Sequence, residues 1–370
     1  RRREFLKTIA GAALGTTLAP LMPSIALART SARVRKYSFT ASETRVQLGE
    51  GPDFTAWAYN GQIPGPEIRV TEGDIIQVAL KNDLGEATTI HWHGIPLDNS
   101  MDGVPGITQP AVQPGETFVY AFEARPAGSF LYHSHAGYQL DQGLYGSLII
   151  EPAKKEESYD QESTLVLEDW VLRDGGGTAT VQRRPPMGGM HGRMHRGPSF
   201  GPTDGPLWEP VYDGYAVNGK VNGAIDALTV RKGDRVKLRL INACSATIFF
   251  LRMAGHSLTI THCDGNPIEP VGTDVLRIGM GERYDVMFTA DNPGNWFLSA
   301  YDTGLGEGRL RIPVLYRGIR CEEPQPPSFQ RGLRMVDYGD FQSLNPTGYS
   351  GGEADRLFNQ PLSGGMHSSA

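Results

Sequence analysis

Two short histidine runs carry the chemistry this sequence offers: Thr89-Ile90-His91-Trp92-His93-Gly94 and, some forty residues on, Tyr132-His133-Ser134-His135. Each is a His-x-His triplet inside an apolar, β-prone stretch. Side chains alternate faces along a strand, so residues i and i+2 point the same way, about 6–7 Å apart. That is too far for both imidazoles to chelate one small ion comfortably. It suits two imidazoles serving two neighbouring metals. Two such triplets on adjacent strands offer four neutral nitrogen ligands to a shared space, a donor set suited to copper, zinc, iron or nickel.

Other potential ligands are scattered. Met187, Met190, His191, Met194 and His195 crowd into a Gly/Pro/Arg stretch, 174–205, that has no core-forming pattern. Its backbone reads as a solvated loop, and its thioethers and imidazoles are candidate accessory Cu(I) ligands. His262-Cys263-Asp264 has no second histidine after the cysteine and reads as a strand end. His256 reads as a core or turn residue. Three cysteines, Cys244, Cys263 and Cys321, cannot all pair within one chain. Whether Cys244 and Cys263 pair is open at this level.

The elements that must position these residues are short strands. The chain has 370 residues, enough for two ordinary domains. Its 46 glycines, 26 prolines and 21% charged residues suit many strands joined by turns. A net charge of -6 gives no basic footprint for nucleic acid. Residues 1–28 read as a signal peptide: Arg1-Arg2-Arg3, an uncharged run from Thr8 to Met22, and a small-x-small end at Ala26-Leu27-Ala28. The run is too short and too weakly apolar for stable membrane insertion. Arg2-Arg3-x-Phe5-Leu6-Lys7 resembles a twin-arginine export motif, which implies the twin-arginine translocase as a partner and a periplasmic destination. The absence of an initiator methionine suggests a fragment at this end.

From 31 to 152 the pattern is strand, turn, strand, with the spacing of a Greek-key β-sandwich. A second unit, 160–317, repeats the grammar. Tyr215-Ala216-Val217-Asn218-Gly219 answers Trp57-Ala58-Tyr59-Asn60-Gly61, and Val230 to Asp234 answers Val70 to Asp74, about 160 residues apart. Where the first copy has His-x-His the second has Ser245-Ala246-Thr247, so the metal site belongs to the first copy. Residues 318–370 read as a linker. The expected fold is all-β, two sandwiches in tandem.

The chain resembles the multicopper oxidase family of laccases, cuprous oxidases and bacterial copper-tolerance oxidases. The likeness rests on Tyr59-Asn60-Gly61-x-x-Pro64-Gly65-Pro66, His91-Trp92-His93-Gly94, Met101-Asp102-Gly103-Val104, Tyr132-His133-Ser134-His135 and Gly281-Glu282-Arg283-Tyr284-Asp285. It implies cupredoxin domains and a trinuclear copper cluster that reduces dioxygen to water at the expense of Cu(I) or a phenol. On that resemblance His91 binds the type 2 copper, His93, His133 and His135 bind the type 3 pair, and Asp102 steers protons to oxygen. The family takes further ligands from His-x-x-His-x-His and His-Cys-His runs, and neither occurs in these residues. The expectation is therefore half of a cluster, with no type 1 copper and no activity of its own, belonging to an active three-domain parent. The alternative is a periplasmic copper-sequestering protein that is not an enzyme.

Overall fold

In β4 (Ile75–Asn82) exposure alternates residue by residue, with Ile76, Val78 and Leu80 fully buried. This is how a strand with one face on a core must look. The computed structural model describes residues 32–49, 53–154, 158–172, 212–302, 310–319, 323–327 and 332–346, and the backbone of 181–183 and 208–210. The leader, the Met187–His195 cluster and Cys321 lie outside the described residues.

The first half holds β1 (Val34–Val46), β2 (Phe54–Tyr59), β3 (Gly65–Thr71), β4, β5 (His91–His93), β6 (Thr117–Glu123), β7 (Gly128–His133) and β8 (Tyr145–Glu151). They form two four-stranded sheets, in the orders β2-β1-β4-β6 and β3-β8-β7-β5. Phe39, Ile76, Val78 and Tyr120 from one sheet meet Ile68, Trp92, Tyr132, Leu148 and Ile150 from the other in one core.

β9 (Gln161–Trp170) opens the second half, followed by a ribbon of β10 (Val181–Arg183) and β11 (Trp208–Pro210). After these come β12 (Gly214–Val217), β13 (Lys220–Val221), β14 (Leu228–Val230), β15 (Arg235–Asn242), β16 (Phe249–Met253) and β17 (Leu258–Cys263). β18 (Asn266–Thr273), β19 (Leu276–Ile278), β20 (Arg283–Thr289), β21 (Asn295–Tyr301) and β22 (Leu310–Tyr316) complete it. The sheet orders are β13-β12-β9-β15-β20-β17-β18 and β14-β22-β21-β16-β19. Among the described residues the helical content is two three-residue 3-10 turns, Asn99–Met101 and Tyr338–Asp340, and no helix is long and apolar enough to cross a membrane. The all-β expectation holds.

The duplication extends to pairing and to polar detail. β1 runs parallel to β4 as β9 does to β15, and β3 to β8 as β14 does to β22. Asn60 and Asn218 both adopt positive φ, and each side chain bonds the backbone of its neighbour strand, at Thr40 and Ser38 or at Val166 and Thr164. Asn82 and Asn242, both fully buried, each donate to two carbonyls and accept from the amide two residues on. In the pairing pattern β16 stands where β5 does; Phe249 and Leu251 turn into the core as Trp92 does, and the strand carries no histidine. Ser245, Ala246 and Thr247 instead wrap the buried Asp169 carboxylate with two amides and a hydroxyl.

The β7–β8 sheet is buried on both faces. Phe130 and Tyr132 face the first core, while Leu131, Tyr145 and Ile149 face Val166, Trp170, Ala216, Ile241 and Ala243 of the second half. Beyond β22, residues 323–327 and 332–346, which the sequence reads as linker, lie along the second half. Bridges at Trp296–Gln325, Val275–Met335 and Ile268–Ser343 hold them, and Val336 enters its core.

Candidate metal centre

β5 and β7 pair antiparallel with His91 opposite His133 and Trp92 opposite Tyr132. Alternation then does the sorting. Trp92 and Tyr132 go fully into the core, and the histidines point to the other side. His135 lies just past the end of β7, its amide 3.4 Å from the Thr89 hydroxyl. The approach to β5 is fixed by tyrosines: the Tyr120 hydroxyl accepts from the Ile90 amide at 2.9 Å, and the Tyr59 hydroxyl donates to the Thr89 carbonyl at 3.3 Å.

All four imidazoles converge. Ring centroids are 5.3 Å apart for His91–His133 and His91–His135, 5.5 Å for His93–His133, 5.9 Å for His91–His93 and 6.2 Å for His133–His135. One ring nitrogen from each of His91, His93 and His133 lies within 4.8 Å of the others, and His135 falls outside this tightest trio. The rings open onto a cavity of about 660 Å³ whose far wall, Tyr212, Cys244 and Gly281, comes from the second half.

Two of the rings have a fixed orientation. His91 Nδ1 lies 2.8 Å from the Asp102 carbonyl, and His133 Nδ1 lies 2.8 Å from the Ser134 carbonyl. A carbonyl can only accept, so both Nδ1 atoms carry the proton and both Nε2 lone pairs are left for a metal. The Asp102 carboxylate itself is 3.3 Å from His91 Nδ1. The loop reaches this close because residue 103 is glycine at φ +77°. A Cβ there would sit 1.8 Å from the Ile90 carbonyl oxygen.

His93 Nδ1 and His133 Nε2 face each other at 3.3 Å. Two metal–nitrogen bonds of about 2.0–2.1 Å at a tetrahedral angle span about 3.3 Å, the bite of one shared ion. Burial, then the charge of Arg283 and the neighbouring imidazoles, brings the His93 pKa down to about 4. Burial and the other three rings bring His133 down to about 3. Both are neutral at pH 7, as a ligand must be. The donor set therefore fits a metal of the copper or zinc type.

These shifts set a pH dependence for the metal-free chain. Unfolded imidazoles take up protons near pH 6.5, while the folded ones resist until about pH 4 and 3. Their contribution to stability is complete above pH 6.5 and is lost as pH falls towards those folded values. Thermal melts of the apo chain should shift downwards between pH 7.5 and 4.5, and less so in a His93→Gln/His133→Gln variant.

His256 and His262 stand apart from the cavity. His256 bonds the Tyr316 hydroxyl at 2.6 Å, and His262 Nδ1 lies 3.0 Å from the Thr261 hydroxyl. Cys244 and Cys263 are buried free thiols. Gly281, Tyr212 and Asp141, which line or approach the cavity, have no ligand-like spacing in the sequence. Only the Gly-Glu-Arg-Tyr-Asp run hinted at the first.

Two family profiles, each described as multicopper oxidase, match residues 40–155 and 193–312. The chain is 37% identical over 312 residues to the multicopper oxidase MmcO of Mycobacterium tuberculosis, covering 81% of this chain and 60% of that protein. It is 33% identical over 323 residues to copper resistance protein A of Escherichia coli, covering 77% and 52%. The chain thus spans little more than half the length of these relatives. The crystal structure of a blue copper oxidase from Nitrosomonas europaea superposes with a TM-score of 0.64 at 33% identity, over 77% of this chain and 86% of that one.

Proposed function

The chain belongs to the multicopper oxidase family, and on that premise we propose that His91, His93, His133 and His135 hold copper as part of a type 2/type 3 trinuclear centre. The observation that carries this is the trio of imidazole nitrogens within 4.8 Å, borne by two paired strands. The 3.3 Å approach supports giving His93 and His133 to one type 3 ion, with His135 on its partner and His91 on the type 2 ion. Copper held there would supply the redox chemistry by which an oxidase of this family reduces dioxygen to water with electrons from Cu(I) or a phenol.

In this reading the chain's own residues bind, orient and move protons. The Asp102 carbonyl fixes the His91 tautomer, while its carboxylate, partly open to solvent and 3.3 Å from His91 Nδ1, is placed beside the cluster to relay protons towards oxygen. Asp102→Asn separates the two roles, because the carbonyl stays. In the full-length oxidase, copper content should be retained while oxygen turnover falls about 10²–10⁴-fold, measured by oxygen uptake.

Blue type 1 copper needs a thiolate. Cys244 and Cys263 are buried free thiols, and none of the three cysteines, Cys321 included, sits in a His-Cys-His run. These 370 residues should therefore bind copper yet not oxidise substrate by themselves. The same observation favours the second reading, copper sequestration without catalysis. Export through a twin-arginine leader to the periplasm fits both readings. Oxygen uptake by the copper-loaded chain with Cu(I) or a phenol decides: none is expected, and sustained uptake would overturn the missing electron-input site.

A further inference from the structure

β20 of the second half grips the histidine-bearing strands of the first. Arg283 and Asp285, two residues apart, share a face of β20, and both hold Ser129 at the start of β7. Asp285 accepts from the Ser129 hydroxyl at 2.5 Å, and Arg283 Nε donates to the Ser129 carbonyl at 3.4 Å. The Arg283 guanidinium, 4% exposed, is further pinned by the Gly281 carbonyl at 2.8 Å and the Asp264 carboxylate at 3.0 Å.

From that anchorage it lies directly on the residue after His93. A Cβ on Gly94 would sit 2.2 Å from Arg283 Nη2. The contact has a counterpart across the same boundary: a Cβ on Gly281 would sit 2.8 Å from His93 Cε1 and 3.1 Å from its Nε2. Each half leaves out a side chain where the other presents a ring or a guanidinium. Gly281 thus closes off the Nε2 end of the His93 ring, while Nδ1 looks at His133 Nε2.

We propose that Gly281 and Arg283 are positioning residues that clamp His93 so that Nδ1, and not Nε2, faces the shared metal space. The Gly281 backbone leaves the ring no room to swing and present its far end, and the Arg283 guanidinium keeps the His93-Gly94 backbone from moving away. The inference rests on the copper-site reading for its purpose, and on the glycine contacts for its geometry.

The test is side-chain ¹H–¹⁵N correlation spectroscopy of the histidine-labelled full chain, metal-free and loaded with Zn(II) as a diamagnetic probe. Gly281→Ala should move the His93 ring signals in the metal-free state. With Zn(II) it should abolish Nδ1 ligation by His93 and lower zinc affinity about 10–100-fold, leaving the His91 and His133 signals in place. Arg283→Met should do the same more weakly, and Arg283→Lys should restore the wild-type pattern. His93 signals unchanged in Gly281→Ala and Arg283→Met, whatever happens to the melting temperature, would overturn the clamp. Failure of the wild-type histidines to respond to Zn(II) would count against the site reading alone, since the metal-free spectra still decide the clamp.

Discussion

Replacing His133 with alanine should weaken copper binding by more than about 100-fold while leaving the chain folded. The His133 ring lies 5.3 Å from His91, 5.5 Å from His93 and 6.2 Å from His135. Its Nε2 is one half of the 3.3 Å pair that marks a shared ion. Losing a group that merely orients a ligand already costs 10–100-fold in affinity, so losing a ligand from the tightest pair must cost more. His135→Ala should cost less, because His135 lies outside the trio. The fold should survive, since His133 is the last residue of β7 and the buried anchors Phe130 and Tyr132 are untouched. Anaerobic Cu(I) competition titration measures both variants, and equal losses for the two would break the ranking.

The largest expected effect on stability is that of Asp285→Ala, far from any metal ligand in sequence. Burial opposes the Asp285 carboxylate, yet the cations of Lys237 and Arg239 outweigh it and hold its pKa below the usual carboxylate range. Lys237 Nζ and Arg239 Nη1 each approach it at 3.1 Å, and all three side chains are at most 7% exposed. Arg239 continues to Glu162 at 2.9 Å and Glu151 at 3.1 Å, and Arg69 pairs with the same two glutamates. Removing Asp285 takes the most buried anion away from Lys237 and Arg239 and leaves Arg239 only its glutamates, a loss of about 3–5 kcal/mol, or on the order of 10 °C in melting temperature. The exposed pair Lys220–Asp226 is the control. Asp226→Ala should change stability by no more than about 0.5 kcal/mol. Differential scanning calorimetry separates the two cases.

How much of this the sequence disclosed follows from what a strand pattern can encode. The four histidines were legible because alternation with Trp92 and Ser134 puts them on one face, and type and spacing alone define that. The duplication was legible because the same turn residues, Asn60 and Asn218, recur with the same backbone role. The boundary between the halves was not. Lys237, Arg239, Arg283 and Asp285 alternate with apolar residues as a solvent face would, yet they are buried against the first half. Period two separates the faces of a strand without saying whether the polar face meets water or a satisfied charge network. Gly281 was opaque for a related reason: its role is the absence of a side chain next to His93, which no ligand spacing reveals.

The central claim is that these four imidazoles make one copper-binding centre. X-ray absorption at the copper edge, on the chain loaded with one equivalent of copper, tests it most directly. The expected first shell is imidazole nitrogen at about 2.0 Å, lost when His91, His93, His133 and His135 are all replaced by glutamine. A shell of thioether sulfur, unchanged in the quadruple variant, would contradict the account.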